Sequence, residues 1–130
     1  PYPIQIFSID GTARMINKAA LEMFGIQSVE SHVGKYNVFE DPTVHQQGVV
    51  NQIKRVLTGE TVYLTDVTAS YRDLIRYFNV EDRDIQTISS NVTCFPLANS
   101  DGTIEHFAAV FFFIKIYRGR EEIGRARQYV

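Results

Sequence analysis

The run Phe107-Ala108-Ala109-Val110-Phe111-Phe112-Phe113-Ile114 constrains this chain more than any other segment. It is far short of the about 20 apolar residues a membrane helix needs. Read as a strand, it puts Ala109, Phe111 and Phe113 on one face and Val110, Phe112 and Ile114 on the other. Both faces are apolar, so both require cover. The domain core supplies one cover. The other must come from a terminal helix, the N-terminal segment or a second subunit.

The rest of the sequence fits one folded domain. Its 130 residues are a single domain's worth, and 45% are apolar, enough for a core without staples. Aromatics at 12% exclude a disordered tail. One cysteine excludes an internal disulfide and a multi-cysteine zinc site, and it fits a reducing compartment, so a cytoplasmic domain is expected. A net charge of −2 argues against a nucleic-acid partner. The chain begins Pro1-Tyr2-Pro3 and stops at Val130 within a helical pattern, which reads as a domain cut from a longer polypeptide.

Local signals predict the elements. Ile4–Ile9 and Ala13–Ile16 flank Asp10-Gly11, a hairpin turn. Asn17 is an N-cap for a helix over Lys18–Phe24, and Gly25 stops it. Ile26–Asp41 suits short helical turns. Thr43–Thr58 predicts a long helix with Val50, Ile53 and Leu57 inward and Gly59 at its end. Thr61–Thr68 predicts a strand, and Tyr71–Phe78 a short amphipathic helix. Ile85–Leu97 and Ile104–Tyr117 predict two more strands around the Asn99-Ser100-Asp101-Gly102 turn. Ile116, Ile123 and Val130, seven apart, suggest a terminal helix over Arg118–Val130. The expected fold is α+β: a five-stranded antiparallel sheet, elements in the order ββαααα βββ, with helices on one face and a C-terminal connector helix.

Four pieces resemble a PAS domain: the hairpin Phe7–Ala20; Leu21-Glu22-Met23-Phe24-Gly25-Ile26 with Val33-Gly34-Lys35; Leu57-Thr58-Gly59-Glu60; and Phe95-Pro96-Leu97 with Asp101-Gly102-Thr103-Ile104. The resemblance covers about residues 4–117. Lys115-Ile116-Tyr117 stands where the family often has Asp-Ile-Thr. Residues 71–84 exceed the usual connection, as a lid, a dimer contact or an inert insertion.

The resemblance implies a sensor module, residues 1–117, followed by a connector helix from 118 to 130. It implies a small molecule held between sheet and helices, with the output passed to an effector in the same polypeptide, such as a histidine kinase or a transcription regulator. The candidate ligand-binding residues are Phe7, Ile9, Tyr36, Asn37, Phe39, Ile53, Ser90, Val92, Cys94, Phe111 and Phe113. Asn37, Tyr36 and Ser90 would orient polar ligand groups. Cys94 reads as small core filling. A homodimer through the outer sheet face and the terminal helix is expected.

The sequence does not support haem, since His32 and His45 both read as surface residues. It does not support a LOV-type flavin adduct, since Gly34-Lys35-Tyr36-Asn37-Val38-Phe39-Glu40 holds no Cys. No phosphate loop, metal cluster or nucleophile–base set appears, so the domain is read as non-catalytic, with no metal. Two alternatives stand beside this reading. One is a small α+β enzyme with a cone-shaped pocket, built from His32, Asp66 and Tyr63. The other is a ligand-free interaction module.

Overall fold

Two Asp-Gly turns set the hairpins, and both use the same chemistry. Asp10 Oδ1 accepts from Ser8 Oγ at 2.6 Å and from Thr12 N at 2.9 Å. Asp101 Oδ1 accepts from Thr103 Oγ1 at 2.6 Å and from Thr103 N at 3.0 Å. These bonds hold the Asp10 carboxyl down at about 2 and lower that of Asp101 as well. The first turn joins β1 (Ile4–Ser8) to β2 (Ala13–Ile16); the second joins β4 (Thr87–Ala98) to β5 (Ile104–Arg118). The structure is a computed structural model and describes residues 2–70, 87–118 and 120–125. The predicted Tyr71–Phe78 helix lies outside the described residues.

The helix α1 (Lys18–Phe24) forms as its caps dictate. Asn17 Oδ1 accepts from Ala20 N at 2.9 Å, and Gly25 closes it at φ 66. Asn17 also ties α1 to the sheet, accepting from Ile4 N at 3.0 Å and donating to Tyr2 O at 2.9 Å. The single long helix expected over Thr43–Thr58 is instead three pieces: α2 (Pro42–Gln46), α3 (Val50–Lys54) and a 3-10 turn over Arg55–Thr58. Gly48, at φ 70, breaks it in the left-handed region, where glycine carries no Cβ penalty.

The sheet is antiparallel throughout, in the order β2-β1-β5-β4-β3, where β3 is Val62–Ser70. A sixth strand, β6 (Glu121–Arg125), stands where the connector helix is expected, and it pairs with β5. The cause is an open edge. β1 pairs with β5 only as far as Val110, with Phe111 N donating to Pro3 O at 3.0 Å. Beyond that the edge of β5 is free, and the returning chain fills it from Lys115 to Arg118. Gly124, a weak helix former, faces Ile116 in this ladder.

Two bulges cross the sheet at one level. Thr65 and Asp66 of β3 stand opposite the single Asn91 of β4; Phe113 and Ile114 of β5 stand opposite the single Ser90. Asp66 (φ 51) and Phe113 (φ 49) take the left-handed conformation, and Asn91 Oδ1 steadies the first bulge by accepting from Asp66 N at 3.0 Å.

The core lies between the sheet's inner face and the helical layer. Phe107 is fully buried, stacked on Phe7 at 5.2 Å and on Phe39 at 5.7 Å. Ala13, Ala20, Phe24, Ile26, Ile53 and Val56 close over it from the hairpin and helical side. The outer face also carries apolar side chains. Tyr63, Thr93, Val110 and Ile4 form one cross-strand row, and Phe95, Ala108 and Ile6 the next. Tyr63 is 74% exposed.

Candidate functional site

A cavity of about 100 Å³ lies between the sheet and α2–α3. Inward-facing strand residues make one wall: Gln5 and Phe7 of β1, Leu64 of β3, Val92 and Cys94 of β4, and Phe107, Ala109 and Phe111 of β5. Period-two alternation places them, since every second residue on these strands points inward. Phe24, Ile26, Val38, Val49 and Ile53 close the opposite side. Val44, Gln47, Val67, Thr68 and Ala69 border it where α2 approaches β3. There the Gln47 side chain clasps the β3 backbone. Its Oε1 accepts from Thr68 N at 2.7 Å, and its Nε2 donates to Thr68 O.

The polar groups gather in one connected set. His32 is fully buried, and its Nε2 lies 2.7 Å from Gln5 Oε1. Its ring stacks on Tyr36 at 5.0 Å. Tyr36 donates its O–H to Asp41 Oδ2 at 2.6 Å, and Asp41 Oδ1 caps α2 by accepting from Thr43 N at 2.9 Å. Burial pushes the His32 imidazole down to about 4, so it is neutral at pH 7. Burial also pushes the Cys94 thiol up to about 12, which makes it a poor nucleophile. No Lys, Arg or His lines the cavity among the described residues, and no His/Cys/Asp/Glu group among them is arranged to hold a metal ion.

The sequence-predicted residues divide sharply. Phe7, Tyr36, Ile53, Val92, Cys94 and Phe111 meet at the cavity. Ile9 does not; β1 ends at Ser8, and Ile9 enters the turn 49% exposed. Phe113 does not; the bulge breaks alternation and leaves it 62% exposed. Asn37 is spent on structure, donating to Asp10 O at 2.9 Å and accepting from Phe39 N at 2.9 Å. Phe39 packs behind Phe107 with Lys54 Nζ 5.4 Å from its ring centre. Ser90 is buried at the bulge, away from the lining.

Three further placements matter. His32, expected at the surface, is fully buried, while His45 is exposed as expected. His32, Asp66 and Tyr63, the loose acid–base candidates, do not converge: the first is in the core, and the other two are exposed. Gln5, Asp41 and Gln47 escape the sequence reading. Gln5 carries a usable signal, because a strand that turns Phe7 inward turns Gln5 inward too.

No protein-family model matches this sequence, and no curated protein matches it. Solved structures do. A structure of VqmA bound to DPO superimposes with a TM-score of 0.63 at 21% identity, covering 86% of this chain. The PAS domain of Bordetella pertussis BvgS superimposes at 0.55 with 19% identity, covering 85% of this chain and 75% of that one. The PAS domain of histidine kinase ThkA does so at 0.55 with 18% identity, covering 85% and 98%.

The fold is that of PAS domains.

This chain spans 51% of the VqmA structure, about half its length. Vibrio cholerae VqmA has also been solved as a dimer without its target DNA, and in a complex with ligand and DNA. The expectation of no nucleic-acid partner therefore finds no support in that neighbour. Among the described residues of this PAS fold, no helix is long and apolar enough to cross a membrane.

Proposed function

We propose that this chain is the sensing module of a larger signal-transduction protein, and that a small molecule seated between the sheet and α2–α3 sets its state. The observation that carries this reading is the cavity: apolar walls with Gln5, Tyr36 and Asp41 at its polar edge. VqmA, a neighbour solved with DPO bound, supports ligand binding as a use of this fold. The module senses and does no chemistry itself. Its effector, of the histidine-kinase or transcription-regulator kind, lies in the same polypeptide on the cytoplasmic side. The module includes the strand β6 and so extends at least to Arg125.

The module also pairs with a second copy through the outer sheet face. That face carries Ile4, Ile6, Tyr63, Phe95, Val110 and Phe112. β6 extends the sheet sideways and leaves this face open among the described residues. An apolar sheet face of this kind marks an interaction surface.

Native mass spectrometry of freshly purified protein tests the ligand reading. A retained non-covalent mass that leaves on denaturation supports it. Bare protein mass, with no ligand recovered from the denatured sample, selects the ligand-free interaction module instead.

A further inference from the structure

The polar edge of the cavity states what kind of molecule it takes. Gln5 is 4% exposed and lines the cavity. Its Oε1 is engaged by His32 Nε2 at 2.7 Å. A carboxamide is planar, so fixing the oxygen on His32 turns the Nε2 amide away from that ring, on a residue that lines the cavity. Among the described residues, the one side-chain hydrogen bond of Gln5 runs through its oxygen, and the amide nitrogen is not among the fully enclosed atoms that lack a partner. An N–H pair left open at the edge of a cavity is a ready donor, and an acceptor inside the cavity pairs it.

The charge pattern is as restrictive. The cavity offers an anion no cation among the described lining residues, and it presents the Asp41 carboxylate, already accepting from Tyr36 and Thr43. The volume of about 100 Å³ limits the body to the size of a five-membered ring; an apolar cavity of about 150 Å³ takes benzene. Resting on the sensor reading above, we infer that the ligand is a compact, uncharged carbonyl compound whose oxygen accepts from Gln5 Nε2. His32 positions Gln5 and does not touch the ligand.

Two size-matched probes test this on the intact ¹⁵N-labelled chain: cyclopentanone, and cyclopentane, which lacks only the carbonyl. The expected result is that cyclopentanone shifts the Gln5 side-chain amide resonances and cyclopentane leaves them in place. In Gln5→Met, the affinity ratio of ketone to alkane should fall about tenfold, the weight of one hydrogen bond. The wild-type shifts stand on their own if the variant does not fold. Binding of both probes with no response at Gln5, or an unchanged ratio in Gln5→Met, overturns the inference and leaves the sensor reading intact. No response of any cavity resonance to either probe overturns both.

Discussion

Two glycines in the same backbone region should answer very differently to one added methyl group. Gly11 (φ 93) and Gly34 (φ 80) are both left-handed. A Cβ on Gly34 meets nothing within 4 Å, so Gly34→Ala costs only backbone strain, about 1 kcal/mol. A Cβ on Gly11 lies 2.5 Å from Asn37 Oδ1 and 2.6 Å from Phe39 Cδ2. Asn37 cannot yield without losing its bonds to Asp10 O and Phe39 N, worth about 1 kcal/mol each. Phe39 cannot yield without leaving the face of Phe107. Gly11→Ala should therefore cost roughly 3 kcal/mol, about 2 more than Gly34→Ala. Urea unfolding of the two variants and wild type checks this, and the gap corresponds to roughly 1 M in midpoint. Equal midpoints for the two variants would refute the reasoning, because strain alone would then explain both.

Other outcomes follow from the same structure. His32 is held neutral down to about 4 when folded and takes a proton near 6.5 when unfolded. Stability should thus be intact above 6.5 and fall by roughly 3 kcal/mol as pH drops to about 4, levelling off below; the difference between wild type and His32→Gln across this window isolates it. Cys94, the lone thiol at 2% exposure, should react slowly with a thiol reagent, and Gln47→Ala should speed the reaction several-fold without a matching loss of global stability. An unchanged rate would show that the Gln47 clasp does not restrain the cavity's border. Tyr63→Arg should lower the dimer fraction in light scattering while leaving the circular dichroism spectrum unchanged.

What was legible in the sequence was what local chemistry decides. The Asn17 cap on Ala20, the Gly25 stop and the two Asp-Gly turns are each settled within four residues, and each stands where its chemistry puts it. Alternation then brought the strand candidates Phe7, Val92, Cys94 and Phe111 together. The losses came where partners distant in sequence decide. Glu121–Arg125 met an open edge of β5 and paired with it, where the apolar spacing of the sequence suggests a helix. His32 is buried because Gln5, 27 residues away, receives its ring nitrogen. Phe113 points outward because a bulge resets the alternation that assigned it inward.

The paired bulges of β3 and β5 have a single cause. Each neighbour carries two residues where β4 carries one, at Asn91 on one side and Ser90 on the other. β4 is thus one residue shorter than the path its two flanking strands trace, and both of them pucker to keep step. One residue added between Ser90 and Asn91 would give both ladders equal counts and release Asp66 and Phe113 from the left-handed region at once. The shortfall also indexes the sheet. β4 cannot slide past either neighbour without carrying the other mismatch with it, so the rows that build the cavity wall are locked in register by what is missing between two residues.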